Sequence, residues 1–231
     1  MIVRIVFSAA VAIMAMTSIA AAQQPTPPQT IKRTLLQKFD VPGSNYETVI
    51  GLAEIVPNVN KLAAAVRRTG GKVFWIRQTV DDDSAVAWSE WLGMMTPATR
   101  RNLVANLAPG SRGHEIYPDL EVKPEDEVVQ KYRFSAFVQG ASDLPQRLRA
   151  QGYDTVLITG TVTNVCCESS ARDAMMLNFK TIMVSDANAA RTDEEHNATL
   201  STFLAIFGDV MDTDFLIQRL ETNAALRVAA E

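Results

Sequence analysis

The stretch from Thr155 to Asn178, TVLITGTVTNVCCESSARDAMMLN, constrains the fold more than any other part of the chain. An apolar, β-branched run from Thr155 to Thr159 leads into Gly160, a short polar turn, and an amphipathic segment opened by two cysteines. This order predicts a buried strand, a tight turn and a helix. Cys166 is then expected at a helix N-terminus, where unpaired N–H groups and the helix dipole favour an anion. Such a position makes a thiol more acidic and more nucleophilic.

Two other interpretations of the same stretch are a phosphate-binding turn and a cysteine that only packs. The turn has one glycine and matches neither G-x-G-x-x-G nor the P-loop, which disfavours a nucleotide site. Cysteines are often inert core residues, so this stretch alone leaves a structural cysteine open.

The sequence GTVTNVCCESSARDA resembles the nucleophile segment of the isochorismatase-like cysteine hydrolases, which usually has the form G-x-x-T-x-x-C-x-x-x-[ST]-x-x-[DE]-A. The resemblance extends from about Val56 to Leu220 and implies a three-layer α/β/α fold with a mostly parallel central sheet. It also implies that Cys166 is the nucleophile. Cys167 falls where the family usually has an apolar residue, which predicts a packing role.

A second motif follows the predicted short strand from Asp126 to Lys131. The residues KYRFSAF resemble the family segment K-x-R-[YF]-S-A-F, in which the lysine is the second member of a catalytic triad. Lys131 is therefore expected at the end of a strand, facing the same crevice as Cys166. A positive charge within about 4 to 6 Å favours a thiolate and stabilises negative charge on a substrate. The alternative is a surface lysine in an ordinary ion pair.

The family's general base is an Asp that ends the first strand, and its usual motif is missing here. The corresponding residues RTLLQKFDVPGSNYETVIGLAEI, from Arg33 to Ile55, contain a glutamine and a lysine that interrupt a buried strand. The first strand is therefore expected to be altered. Asp40, after a possible strand from Thr34 to Phe39, is the candidate base, and Asp82 or Asp83 are weaker substitutes. Losing an activating base commonly costs about 10² to 10⁴ in rate, so a catalytically impaired protein with a binding or oligomeric role is the alternative function.

The stretch from Arg33 to Asn58 also resembles the start of small secreted cupins, which hold a metal through a histidine-rich motif. The chain has only two histidines, His114 and His196, far apart in sequence. This weaker resemblance supplies no site, although it leaves a cupin-like module with an added domain as a third hypothesis.

The hydrolase resemblance further implies an oxyanion hole formed by the backbone N–H groups of Val162 and Cys166, with a cis peptide between Thr161 and Val162. In the resembling enzymes the thiolate attacks an amide carbonyl, an amine leaves, and water hydrolyses the thioester. Nicotinamidase relatives bind zinc through an Asp and two His, and the sequence lacks that cluster. We therefore predict no metal and no other cofactor.

The N-terminus predicts export. Residues 1–22 combine Arg4, an apolar run and small residues in an A-x-A pattern, as in a secretory signal peptide. Residues 23–55 form a Pro- and Gln-rich leader with the atypical segment, and residues 56–231 form the hydrolase domain. This predicts a periplasmic or secreted protein. The two adjacent cysteines cannot bridge without severe distortion.

The composition limits the classes of molecule that the protein is expected to bind. The net charge of −4 and a pI near 5.3 give no basic footprint for nucleic acid. We expect a small-molecule substrate, no nucleic acid, no membrane contact after signal cleavage, and a homo-oligomer, because the resembling proteins assemble.

Three finer expectations concern side chains around the motifs. Trp88, Trp91 and Met94 recur at intervals of three residues, which is more typical of packing than of a substrate cage. His196, on the first turn of a predicted helix, is expected to be a capping or surface residue. A strand from Lys180 to Ser185 is expected, with Asp186 and Asn188 at its exit.

Overall fold

The structure is a computed structural model that describes residues 53–228, apart from the side chains of residues 82, 84, 85 and 227. Strands and helices alternate along this range, with a 3₁₀ turn at Ala53–Ile55, another at Arg112–His114, and a π-helical turn at Thr163–Cys167. The elements are α1 (Val56–Arg68), β1 (Phe74–Gln78), α2 (Asp82–Ala87), α3 (Ser89–Gly93), α4 (Pro97–Leu107), β2 (Glu127–Lys131), α5 (Leu144–Ala150), β3 (Thr155–Thr161), α6 (Glu168–Met176), β4 (Lys180–Ala189), α7 (Asp193–Ile206), β5 (Asp209–Met211) and α8 (Thr213–Val228).

Several boundaries follow from local sequence. Thr96 caps α4, since its side-chain oxygen accepts a hydrogen bond from the Thr99 N–H at 3.2 Å. The chain leaves α1 through Thr69 and Gly70, and Gly70 has φ +83°, a conformation that glycine adopts without steric cost.

All strand pairs are parallel. β1 pairs with β2, and β4 lies between β3 and β5. Within residues 53–228 no hydrogen-bonded ladder joins the two groups of strands. Their side chains nevertheless share the same core clusters: Trp75 packs in one cluster with Leu157, and Val129 packs in another with Val156. The two groups of strands therefore belong to one folded unit.

Helices cover both faces of the strands. The cluster containing Leu62 of α1 and Leu216 of α8 includes Val184 of β4. The neighbouring residue Met183 belongs to a different cluster, with Leu200 of α7. Because successive strand residues point to opposite faces, these contacts place helices on either side of the sheet. The predicted three-layer α/β/α fold is confirmed.

One predicted strand was too short. β4 continues past Ser185 to Ala189, so Asp186 and Asn188 lie inside the strand and not at its exit. Asp186 accepts hydrogen bonds from the Thr213 N–H and hydroxyl at 2.8 and 2.7 Å, and Asn188 donates to two strand carbonyls. Asp186 thus binds the first residue of α8, and Asn188 joins the backbones of β3 and β4. These hydrogen bonds explain how the strand tolerates both polar residues.

The proposed signal peptide, the leader and the candidate base Asp40 lie outside the described residues. In the part of the chain that the structure describes, no helix combines the length and apolar character needed to cross a membrane.

Candidate active site

The π-helical turn that follows β3 presents the first cysteine and buries the second. The predicted cis peptide between Thr161 and Val162 is present. The Val162 carbonyl then accepts hydrogen bonds from the N–H groups of Val165 and Cys167, at 3.1 and 3.3 Å. The turn runs directly into α6, so Cys166 lies just before a helix N-terminus and is partly exposed.

Cys167 is a packing residue, as predicted. Its side chain lies in the core cluster that contains Ala171, Met183 and Phe203, and it is 5% exposed. Burial raises the pKa of the Cys167 thiol well above its ordinary value, with a smaller contribution from the neighbouring sulfur. Both cysteines are free thiols, and only Cys166 is accessible.

Lys131, the last residue of β2, carries its ammonium to the Cys166 sulfur. The distance from Nζ to Sγ is 3.3 Å, and the lysine is 5% exposed. Nζ also donates to the backbone carbonyls of Arg133 and Phe134, at 3.0 and 2.8 Å, and to the side-chain oxygen of Gln78 at 2.6 Å. The alternative of a surface lysine in an ordinary ion pair is therefore wrong. Lys131 is buried, and none of the ion pairs among the described residues includes it.

Ser170 joins the loop that follows Lys131, residues 132–138 and called here the lysine loop, to α6, and Ser135 orders that loop from within. The Ser170 hydroxyl, on α6, accepts from the Ala136 N–H at 3.1 Å, and the Ser135 hydroxyl accepts from the N–H groups of Phe137 and Val138. Ala136 and Phe137 are core residues, at 2% and 4% exposed. The two motifs that resemble the hydrolase family are thus fastened to each other.

His196 is hydrogen-bonded to the π-helical turn. Its Nδ1 lies 2.9 Å from the Thr163 hydroxyl, and both side chains are fully buried. The expectation of a capping or surface histidine was wrong, because α7 packs its first turn against the π-helical turn. Thr192 is the residue that caps α7, through its hydroxyl and the Glu195 N–H.

The second histidine lies on a separate network. His114 Nε2 is 2.8 Å from the hydroxyl of Thr79, whose N–H donates to the Lys131 carbonyl at 2.8 Å. Burial lowers the pKa of His114, and the nearby Arg77 guanidinium lowers it further. This histidine stabilises the chain leaving β1.

An aromatic cluster adjoins the lysine loop. Trp88 and Trp91 stack with ring centroids 4.2 Å apart, and both meet the Phe134 ring edge-on. The predicted packing of the two tryptophans is confirmed. Met94, which was expected to continue the stripe, is 79% exposed and takes no part in it.

The structure thus brings Cys166, Lys131 and the Val162 turn together. Asp83, a weaker candidate base, is exposed on α2, and the side chain of Asp82 is not described. Gln78, the side-chain partner of Lys131, was not predicted from the sequence. A polar residue at the last position of a strand was the available signal, because the carboxyl ends of parallel strands form the ligand-binding edge of such sheets. Residues 53–228 contain no group of three or more His, Cys, Asp or Glu side chains arranged to hold a metal ion.

A free thiol at the carboxyl edge of a parallel sheet, in contact with a buried lysine, defines an α/β protein of the cysteine-hydrolase class. The Isochorismatase domain family matches residues 35–215, more than three quarters of the chain, and the protein belongs to that family. The match includes Asp40.

Known proteins agree with this assignment. The uncharacterised isochorismatase family protein YwoC of Bacillus subtilis is 29% identical over 174 residues, covering 73% of this chain and 84% of that protein. Ureidoacrylate amidohydrolase RutB of Methylobacterium radiotolerans is 32% identical over 175 residues, covering 71% and 66%. The crystal structure of a cysteine hydrolase from Pseudomonas syringae pv. phaseolicola is 26% identical with a TM-score of 0.66, covering 83% of this chain and 99% of that one.

Proposed function

We propose that this protein is an amidohydrolase that cleaves a C–N bond of a small amide or ureido compound through a thioester on Cys166. One observation carries the proposal: the Lys131 ammonium lies 3.3 Å from the Cys166 sulfur, where the two family motifs meet. The relatives named for ureidoacrylate amidohydrolase activity support the C–N bond as the target.

In the proposed first step the Cys166 thiol gives its proton to a base and the sulfur attacks the carbonyl carbon. The π electron pair of the C=O bond moves to oxygen, and the N–H groups of Val162 and Cys166 donate hydrogen bonds to that oxyanion. The charge of Lys131 favours both the thiolate and the oxyanion. The C–N bond then breaks, the nitrogen leaves as ammonia or an amine after taking up a proton, and an acyl thioester remains. Water hydrolyses the thioester to a carboxylic or carbamic acid and restores the thiol.

Asp40 is the base in this proposal. The possible strand from Thr34 to Phe39 precedes it, and the family match, which begins at residue 35, covers Asp40 and all of that strand except Thr34.

The remaining expectations belong to the same proposal. The substrate is a small molecule, the chain requires no cofactor, and it is exported to the periplasm or secreted as a homo-oligomer. Size-exclusion chromatography with light scattering tests the assembly, and cell fractionation with N-terminal sequencing of the purified protein tests export and cleavage after residue 22.

Two measurements test the chemistry. Release of ammonia is followed over a panel of amide and ureido compounds, and the acyl-enzyme is trapped by rapid acid quench and detected as a mass increase on the intact chain. We expect turnover with at least one ureido compound and an adduct on the peptide that contains Cys166. Cys166→Ala should abolish both signals.

Cys167→Ala is the matched control, because it removes a thiol one residue away that is buried in the core. It should keep the activity and the single labelled site of the wild type, while losing about 1 kcal/mol of stability. A protein that neither turns over any compound nor labels rapidly at Cys166 would contradict the proposal and favour the catalytically impaired alternative.

A further inference from the structure

Lys131 has more partners than it has protons to share. An ammonium carries three N–H groups, yet four acceptors surround Nζ: Gln78 Oε1 at 2.6 Å, Phe134 O at 2.8 Å, Arg133 O at 3.0 Å and Cys166 Sγ at 3.3 Å. The three oxygens are closer than the sulfur. Together they fix where the nitrogen lies, and the sulfur meets a charge already held in place.

All three oxygens belong to uncharged amide groups, two from the backbone and one from a side chain. Neutral acceptors solvate a buried ammonium without cancelling its charge, whereas a carboxylate at the same distance forms an ion pair with it. Among the described residues, no carboxylate oxygen lies within ion-pair distance of Lys131 Nζ. Within the described residues, the nearest group that can become an anion beside this ammonium is therefore the Cys166 thiol, at 3.3 Å.

Gln78 is the one oxygen partner whose chemistry depends on the residue type. It lies directly opposite Lys131 in the parallel register of β1 and β2, so the two side chains leave the same face of adjacent strands. Its amide nitrogen lies 3.3 Å from the Lys131 carbonyl and 3.4 Å from the Thr79 carbonyl. Since an amide nitrogen only donates, these contacts orient the amide with its oxygen toward the ammonium.

We propose that Gln78 is a positioning residue that holds the Lys131 ammonium against Cys166, and that its side chain must be uncharged for the lysine to activate the thiol. The inference rests on the proposed function, since it assigns a role within the same site.

The test replaces the amide in two ways. Gln78→Glu keeps an acceptor of nearly the same shape but adds a negative charge beside the ammonium. Gln78→Leu removes the acceptor and leaves the ammonium with the two backbone carbonyls. If Gln78 only joined β1 to β2, Gln78→Glu would behave almost like the wild type and Gln78→Leu would be the worse variant. The proposal expects the reverse order.

The readout is the rate of Cys166 alkylation by iodoacetamide, measured from about pH 5 to about pH 10 to span ordinary thiol titration. In Gln78→Glu we expect the midpoint of the rate profile to move up by about one pH unit, and kcat of any substrate found to fall about tenfold with little change in KM. Gln78→Leu should shift the midpoint less. Thermal unfolding shows that each variant is folded.

Gln130→Glu is the matched control. It adds the same charge in the same strand pair, next to Lys131 in the chain, but the Gln130 side chain contacts Thr79 and Tyr132 and not the ammonium. Its alkylation profile should match that of the wild type.

The outcomes separate the two proposals. Rapid labelling of the wild type with an unshifted profile in Gln78→Glu overturns the role of Gln78 and leaves the amidohydrolase proposal intact. Equal shifts in Gln78→Glu and Gln130→Glu also overturn it, because the shift then comes from any negative charge added near the site and not from the contact with Lys131. Slow wild-type labelling with an ordinary thiol profile overturns both. A shift confined to Gln78→Glu supports the positioning role even if no tested compound is hydrolysed, since labelling needs no substrate.

Discussion

The two ends of β2 each carry a buried charge, and the two charges are handled in opposite ways. Asp126, immediately before the strand, has a side chain that is 1% exposed, and Arg67 meets it with two hydrogen bonds of 2.8 and 2.6 Å. Trp75 Nε1 and the Lys123 N–H complete its shell, each at 2.8 Å. Lys131, at the other end, has amide oxygens and a thiol around it.

The two charges differ in what they can still interact with. A charge neutralised by an opposite charge has its interactions satisfied within the fold, and it serves mainly to join elements. A charge surrounded by neutral dipoles remains able to stabilise a new negative charge when one forms. The chain places the first kind at the amino end of the strand and the second at the carboxyl end, where parallel sheets bind ligands.

The largest expected effect is on activity, from replacing Lys131 at the carboxyl end of β2. Lys131→Gln keeps a donor for the surrounding carbonyls but removes the charge, and we expect kcat/KM to fall about 10³-fold, comparable to losing a preorganised electrostatic contact. Urea unfolding should show a much smaller change, because the replaced side chain bears no ion pair among the described residues. Lys180→Gln is the control, since it removes an exposed lysine whose ion pair among the described residues is with Asp154. Activity within tenfold of the wild type would contradict the assignment.

The next effect belongs to the structural end and should appear in stability alone. Asp126→Asn removes one partner of a buried pair, which we expect to lower the free energy of unfolding by about 3 kcal/mol. The kcat per folded molecule should be nearly unchanged, since Lys131 lies at the far end of the strand. Asp154→Asn makes the same replacement in an exposed pair and should change the free energy of unfolding much less, because solvent screens that pair. Equal losses in the two variants would show that the buried pair has no special role.

The Asp126 pair also sets a pH dependence. Burial alone would raise the pKa of Asp126, but the hydrogen bond from Arg67, with those from Lys123 and Trp75, outweighs burial and lowers the pKa from 3.8 to about 2. Because the folded pKa lies below the unfolded value, the contribution is fully present above about pH 4 and is lost as the pH falls toward about 2. The stability difference between wild type and Asp126→Asn, measured by urea unfolding, should shrink over that range. A constant difference would contradict the assigned pKa.

The smallest effect concerns one hydrogen bond of the same shell. Trp75→Phe keeps most of the apolar packing and removes the indole N–H that meets Asp126. We expect a loss of about 1 kcal/mol, the usual value of one hydrogen bond, and no change in Cys166 labelling. Combined with Asp126→Asn, the two losses should be less than additive because the residues share a contact. Strict additivity would place the effect of Trp75 in packing instead.

Sequence was most informative where motif and periodicity coincide. The strand, turn and helix around Cys166 follow from local patterning, and KYRFSAF located Lys131 at the end of a strand. Their contact depends on two strands distant in the chain, and only the family resemblance connected them. The cis peptide likewise came from the resemblance, since nothing in the residues Thr161 and Val162 indicates it.

The features that were not predicted from the sequence depend on tertiary contacts. His196 is buried because α7 packs on the turn below Cys166, and its helical position alone does not distinguish that face from a solvated one. β4 continues through Asp186 and Asn188 because their side chains find partners on α8 and β3, which a local rule about polar residues does not anticipate. Gln78 gains its role from its register opposite Lys131, and register is invisible in a single strand.

The burial of Cys167 has a consequence for oxidative damage. The core side chains around its sulfur leave Cys166 as the accessible thiol of the chain. If a peroxide converts Cys166 to a sulfenic acid, the chain therefore has no second accessible cysteine to form a disulfide with it. The sulfenic acid is then not protected from further oxidation. Recovery then requires a small thiol or reductase from outside the molecule, and in its absence each oxidation proceeds toward the irreversible sulfinic acid.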